Sequence, residues 1–337
     1  MEKILIRNGF EPEAVREAAA LLEKGEPVAF PTETVYGLGA DAFNPVAVAR
    51  IFELKKRPHF DPLIVHIADR GWVERLASSI PGEAKLLMDR FWPGPLTIIL
   101  KKRDIVPDIV TAGLSTVGIR MPKHPVALTL LERLGRPIAA PSANPFGYMS
   151  TTSASDVASL FDGGLSLVLD GGVSSYGIES TIVSIVDGQV RLHRNGSVTV
   201  EELASVIRPV LEEGRDNTRC ESPGELPYHY APHTPLRIVA SPQEIVKEES
   251  CFLAFAEPPV KVRSRHVRVL SATGDLREAA GRFFSSLIAL DREGMDVIYA
   301  ERVPETGLGR AIMERLRKAE KKTGGQCVET LRKSVLG

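Results

Sequence analysis

Three short stretches set small hydroxyl, amide and carboxylate side chains hard against apolar runs. Thr32-Glu33-Thr34 follows Pro27-Val28-Ala29-Phe30. Ser142 and Asn144 follow Pro137-Ile138-Ala139-Ala140, and Glu179-Ser180-Thr181 precedes Ile182-Val183. Polar groups beside buried backbone need partners. Each patch can close its own turn by local bonding, but three of one kind favour a shared polar pocket. Cations suit the same pocket. Lys55 and Arg57 stand where a helix ends before Pro58. There they serve the helix dipole or grip phosphate, Lys as a point charge and Arg as a fork. Arg120 lies inside the apolar strand Val117-Gly118-Ile119-Arg120-Met121. A buried Arg needs a carboxylate or phosphate partner, from the protein or from a ligand. His66, closing "PLIVHI", reads on its own as a core histidine. These residue types point to binding of an anionic, phosphorylated small molecule, with neither a nucleophile triad nor a strong metal cluster.

A dinucleotide reading does not survive. Gly37-x-Gly39-x-x-Ala42 fits the loose fingerprint, but six residues separate Gly37 from the strand ending at Phe30. In that fingerprint the first glycine leaves the strand directly, so that pyrophosphate reaches the next helix N-terminus. Here Gly37 and Gly39 are read as turn geometry. No GxxxxGK[ST] and no HExxH is present.

The elements that must position these residues follow from periodicity. Residues 12–25 form a helix with Val15, Ala18, Ala19 and Leu22 on one face and Gly25 at its end. Asn44 and Pro45 start a second helix as N-cap and first residue. Further helices are predicted at 81–91, 124–134, 153–161 and 199–208. The runs "PLIVHI", "LTIIL", "VGIRM", "PIAA", "LSLVLD", "STIVSIV" and "QVRLHR" read as strands. Several are not separated by helices, so the sheet should be mixed or largely antiparallel. Residues 209–235 are polar and turn-rich and read as a linker. Beyond them, strands at "LRIVA", "CFLAFA", "HVRVLS" and "DVIYAE" alternate with helices at 276–291 and 308–320, a small α/β domain.

The 337 residues suit two domains, 1–208 and 236–337 around that linker. Lys plus Arg is 42 and Asp plus Glu 43, a net charge of −1, so no bulk basic signature for nucleic acid or membrane exists. The three cysteines, Cys220, Cys251 and Cys327, are scattered and support neither a disulfide framework nor a zinc ribbon. The chain carries no run of 18 apolar residues and no signal-like N-terminus, which leads to the expectation of a soluble cytoplasmic protein.

Together, "PTETVYGLGADA", "KKRPHFDPLIVHI", "FWPGPLTIIL", "VGIRMPKHP", "PIAAPSAN", "GIESTIVS" and "SPGELPYHYAP" resemble the YrdC-like threonylcarbamoyl-AMP synthases. "GLGRAIMERLRKA" resembles the C-terminal domain of the long, two-domain form. The resemblance spans about residues 10–320. It implies an α/β fold: a twisted mixed sheet around a concave, positive cleft, with a smaller Rossmann-like second domain. It implies condensation of L-threonine, bicarbonate or carbon dioxide, and ATP into L-threonylcarbamoyl-AMP and pyrophosphate. A separate transferase complex then modifies adenosine next to the anticodon of tRNA. The implied cofactor is Mg2+, held by ATP phosphates and water.

The resemblance also implies site residues. Thr34, His66, Arg120 and Ser180 would bind threonine, with Arg120 on its carboxylate and Ala140 touching it through the backbone. Lys55 and Arg57 would bind phosphates. Asp61, Thr116, Ser142, Asn144 and Ser150 would line the nucleotide site, with Arg194 and Tyr230 covering it and the linker acting as a gate. Three positions depart from the family's usual pattern: Asn195 in place of proline, Met149-Ser150-Thr151-Thr152 around the usual Ser-Pro-Thr, and Glu225 in the linker. Two rivals differ in class. A hydrogenase-maturation carbamoyltransferase would carry zinc-finger and acylphosphatase-like modules that are absent from this sequence. An RNA-binding module would use the cleft without catalysis, but the neutral charge and the lack of interleaved aromatics allow at most weak RNA binding.

Overall fold

A computed structural model of the chain describes residues 4–161, 163–207, 222–224, 226, 229–258 and 261–323. The chain divides into two compact units, the first comprising residues 1–146 and 151–225, the second 147–150 and 226–337. Most of the segment read as a linker lies outside the described residues. Among the described residues no helix is long and apolar enough to cross a membrane.

In the first unit the elements are β1 (Leu5–Asn8), α1 (Pro12–Glu23), β2 (Val28–Phe30), β3 (Gly37–Asp41), α2 (Pro45–Lys55) and β4 (Ile64–His66). Next come α3 (Gly71–Leu76), α4 (Gly82–Phe91), β5 (Leu96–Lys101), α5 (Asp108–Thr111), β6 (Thr116–Arg120), α6 (Pro125–Leu134) and β7 (Ile138–Ala140). The unit continues with α7 (Ala154–Leu160), β8 (Leu167–Asp170), β9 (Thr181–Val186), β10 (Gln189–Arg194) and α8 (Val200–Ala204). All strands join one mixed sheet in the order β1-β8-β2-β3-β7-β4-β6-β5-β9-β10.

Local chemistry accounts for the helix ends. Asn44 accepts from the backbone N–H of Val46 and Ala47, and Pro45 begins α2. Thr199 and Glu202 close a capping box on α8. Gly25 takes φ +79° just past α1, the left-handed geometry that ends many helices.

One expectation is corrected. Gly37 and Gly39 belong to a strand, β3, antiparallel to β2 and β7. The physical reason is crowding: a Cβ on Gly39 would sit 2.7 Å from both the Phe30 ring and Ile138 Cγ2. The glycines let a buried strand pass beneath an aromatic ring. The short elements β1, α3 and α5 also had no clear periodic signal in the sequence.

Side-chain alternation sorts the sheet into two faces. Val65, Val117, Ile119, Ile98, Leu100, Val183 and Ile185 point into a large core with Val48, Ile51 and Phe52 of α2 and Leu87 and Met88 of α4. Each such side chain, fully buried, contributes about 1.5–3 kcal/mol. On the opposite face α1 and α6 cover one half, burying Phe30, Ile138, Ala140, Leu167 and Leu169. Over β4, β6, β5 and β9 this same face carries, among the described residues, a small cluster of Ile64, Ile99 and Ile182.

The second unit holds β11 (Leu236–Val239), β12 (Cys251–Ala254), β13 (His266–Val269), α9 (Leu276–Asp291), β14 (Ile298–Glu301) and α10 (Leu308–Thr323). Its sheet is wholly parallel, in the order β11-β14-β12-β13. Phe283, Phe284, Leu287 and Ile288 of α9 and Ala311, Ile312 and Leu316 of α10 are buried, as the sequence periodicity predicts.

Candidate active site

On the half of the sheet face that α1 and α6 do not cover lie three of the predicted site residues, His66, Thr116 and Arg120, with Ser180 at its edge. Register aligns Ile64, Gly118, Ile99 and Ser184 across four strands, with His66 beside Arg120 and Thr97 beside Ile182. Partners in register share a face. One surface therefore carries Thr116, Gly118 and Arg120 of β6, Ile64 and His66 of β4, Thr97 and Ile99 of β5, and Ile182 of β9. A small pocket opens on it, lined by Ile64, Thr97, Ile99, Thr116, Gly118 and Ile182 among others. Gly118 contributes no side chain; a Cβ there would touch Thr97, Ile99 and Ile64 at 3.4–3.9 Å. The result is an apolar floor with a polar rim.

Arg120 sits at the rim, 3% exposed, its Nη2 at 2.8 Å from Glu33 Oε1. That contact is not aligned as a hydrogen bond: neither atom makes one. Arg120 Nε donates to the Gly94 carbonyl at 3.4 Å, a long bond. His66 packs edge-on against Phe30, ring centres 6.0 Å apart, and its Nδ1 has no hydrogen-bond partner. Burial first, and then the Arg120 charge, push the His66 imidazole down to about 3, so it is neutral at any working pH.

The first two polar stretches meet. Thr32 and Thr34 share an Oγ1···Oγ1 hydrogen bond of 2.8 Å, and Thr32 Oγ1 donates to the Val35 carbonyl. The Ala143 N–H donates to the Tyr36 carbonyl, and Ser142 bridges Gly37. Ser174 Oγ and the Tyr176 N–H donate to the carbonyls of Thr32 and Glu33. Ser180 lies across the floor, its Oγ 2.8 Å from Thr97 Oγ1.

Several charged residues stabilise the loops around this surface. Arg194, expected over the nucleotide, turns its fork onto Ser180: Nε and Nη2 donate to the Ser180 carbonyl at 3.1 and 2.9 Å, and Nη2 also reaches Ser180 Oγ. Gly196 packs beneath the same loop; a Cβ on it would lie 2.4 Å from the Thr181 nitrogen. Lys55 Nζ donates to the carbonyls of Ser142 and Asn144. Burial, then the Arg57 charge, lower its ammonium well below the ordinary value, while Asp61 opposes them. Arg57 Nε and Nη2 donate to the carbonyls of Asp61 and Pro62. Its Nη2 also touches Asp61 Oδ2 at 2.8 Å.

Thr34, His66, Arg120, Ala140 and Ser180 all belong to the first unit, as do Lys55, Arg57, Asp61, Thr116, Ser142, Asn144 and Arg194. Ser150 and Tyr230 belong to the second. There Tyr230 takes φ +64°, its ring 5.8 Å from Phe284 and 5.2 Å from the Arg315 guanidinium. The sequence places Glu33 in a pocket-forming polar stretch without giving it a role, and does not single out Thr97. The signal for Glu33 was available: a buried Arg requires a counter-charge, and "PTET" holds a carboxylate.

Comparison with known proteins decides the family. The Sua5/YciO/YrdC model, described as telomere recombination, matches residues 20–196. The model of the threonylcarbamoyl-AMP synthase C-terminal domain matches residues 198–320. The chain belongs to the Sua5/YciO/YrdC family. Within it, the chain has the two-domain form. It is 44% identical to the threonylcarbamoyl-AMP synthase of Pyrococcus abyssi, covering 94% of this chain and 96% of that protein. It is also 44% identical to that of Bacillus subtilis, covering 93% and 94%. The crystal structure of P. abyssi Sua5 complexed with L-threonine superposes with a TM-score of 0.86 at 40% identity, covering 96% of this chain and 98% of that one. The family resemblance in the motifs and the mixed-sheet fold are both upheld.

Proposed function

We propose that this chain is an L-threonylcarbamoyl-AMP synthase that joins L-threonine, carbon dioxide or bicarbonate, and ATP, releasing pyrophosphate. The single observation that carries this reading is the half of the sheet face that α1 and α6 do not cover. There Arg120, the neutral His66 and Ser180 surround an apolar floor, in a chain 44% identical to synthases of that name.

Chemistry and residues agree. The threonine amine attacks carbon dioxide to give a carbamate, whose oxygen then attacks the α-phosphate of ATP. No enzyme nucleophile is required; the demand is for two anions held side by side and for charge neutralised on the leaving pyrophosphate. Arg120 binds the threonine carboxylate. His66, neutral, offers a ring nitrogen to a hydroxyl rather than a second positive charge. Ser180 and Thr34 bound the same subsite, with Ala140 contributing backbone. Lys55 and Arg57 face the phosphates. Asp61, Thr116, Ser142, Asn144 and Arg194 line the nucleotide site, and Arg194 also braces the threonine subsite by holding Ser180. Mg2+ travels on the phosphate oxygens: the residues assigned to ATP are cations, hydroxyls and amides, with Asp61 the single carboxylate.

The downstream reading follows from the product. A mixed carbamic–phosphoric anhydride is an activated acyl donor, and its consumer is a separate transferase complex acting on tRNA in the cytoplasm. Mass analysis of a reaction containing L-threonine, bicarbonate and Mg-ATP tests the reading. A threonylcarbamoyl-adenylate ion, lost when threonine is omitted, is the expected result. Its absence, with ATP turned over to AMP alone, contradicts it.

A further inference from the structure

Glu33 is a carboxylate in contact with Arg120, and it is 5% exposed. Its Oε2 accepts the Lys123 N–H at 3.1 Å. Its backbone carbonyl accepts from the Tyr176 N–H and from Ser175 Oγ. The side chain is thus fixed from two directions. Its Oε1 lies 2.8 Å from Arg120 Nη2, yet neither atom makes a hydrogen bond. Two opposite charges stand side by side, buried and compensated as an ion pair, without an aligned hydrogen bond between them. A buried charge that loses its partner is costly. A ligand carrying both charges at matching separation satisfies both at once.

An α-amino acid has that separation. Standard N–Cα and Cα–C lengths and the angle between them place the ammonium nitrogen about 2.7 Å from the nearer carboxylate oxygen. We infer that Glu33 and Arg120 form a zwitterion clamp: Arg120 takes the substrate carboxylate, and Glu33 Oε1 takes the α-ammonium. The inference rests on the reading of this site as the threonine subsite. It adds that Glu33 is a specificity-determining residue, selecting an amino acid over a hydroxy acid of the same shape. A carboxylic acid lacking the ammonium leaves Glu33 uncompensated beside it, a repulsive element that a lone arginine would not supply.

Calorimetric binding to the full chain tests the clamp, using L-threonine, 3-hydroxybutyrate (no ammonium) and L-threoninol (no carboxylate). The wild-type protein is expected to bind L-threonine at least about tenfold tighter than either analogue, because sites built around buried polar groups reject ligands that leave them unpaired. Glu33→Gln keeps the shape and removes the charge. It is expected to weaken L-threonine at least about tenfold while leaving 3-hydroxybutyrate unchanged or tighter. The ratio of the two affinities cancels any general loosening of the fold. Equal weakening of both ligands, or no change in either, overturns the clamp and leaves the threonine subsite standing. Equal wild-type affinity for threonine and 3-hydroxybutyrate overturns it without any variant. Failure of the wild-type protein to bind L-threonine at all, with or without ATP, overturns the underlying reading together with the clamp.

Discussion

His66 ties site chemistry to acid stability in a way that can be measured. Its folded pKa is about 3 against an ordinary 6.5, lowered by burial and by Arg120. The unfolded chain therefore binds a proton between those values and the folded protein does not. Stability is fully present above pH 6.5, falls as pH drops through that window, and levels off below about 3. One pKa unit corresponds to about 1.4 kcal/mol, so this imidazole alone removes roughly 5 kcal/mol across the whole window and roughly 2 kcal/mol between pH 7 and 5. His66→Gln keeps a polar side chain and abolishes the titration. Both tryptophans, Trp72 and Trp92, belong to the first unit, so their emission during urea unfolding reports on it. The wild type should lose roughly 2 kcal/mol more than His66→Gln on moving from pH 7 to pH 5. Parallel losses in the two proteins would refute a neutral, desolvated His66 and with it the assignment of His66 as an uncharged partner for a hydroxyl.

The floor and its supports give further tests. Gly118→Leu should fill the pocket over Ile64, Ile99 and Thr97, abolishing nucleotide binding by calorimetry while leaving the urea midpoint little changed. Gly196→Ala pushes a methyl into the Glu179–Thr181 backbone, and should cost about 1–3 kcal/mol and raise the threonine KM. Arg194→Lys loses the fork on Ser180. It should raise the threonine KM roughly tenfold or more, about 1.4 kcal/mol or above per tenfold, whereas a purely nucleotide-facing arginine would raise only that for ATP.

Much of this was legible in the sequence because it depends on local rules. Asn44-Pro45 announces α2 by capping chemistry alone, and the alternation in "VGIRM" and "LTIIL" already assigns Arg120 and Thr97 to faces of their strands. What escaped depends on contacts distant in sequence. β3 reads as a turn because two glycines weaken a strand pattern; their reason is the ring of Phe30 and the side chain of Ile138 lying against them. β1 is a four-residue edge strand, exposed throughout, with no buried face to leave a period. In the site, Arg120 called for a counter-charge, but its partner lies 87 residues away in Glu33, and no spacing rule connects them. The resemblance reads Arg194 as a nucleotide residue; that its fork also holds the Ser180 loop is visible only once β9 and β10 are paired.

The most direct test of the central claim is pyrophosphate release from Mg-ATP and bicarbonate, with L-threonine, with L-serine and with no amino acid. Release should depend on threonine, be much weaker with serine, which lacks the methyl group, and disappear in Arg120→Ala. Release independent of any amino acid, or none despite measurable ATP binding, would contradict the assignment of the half of the sheet face that α1 and α6 do not cover as a threonine-activating site.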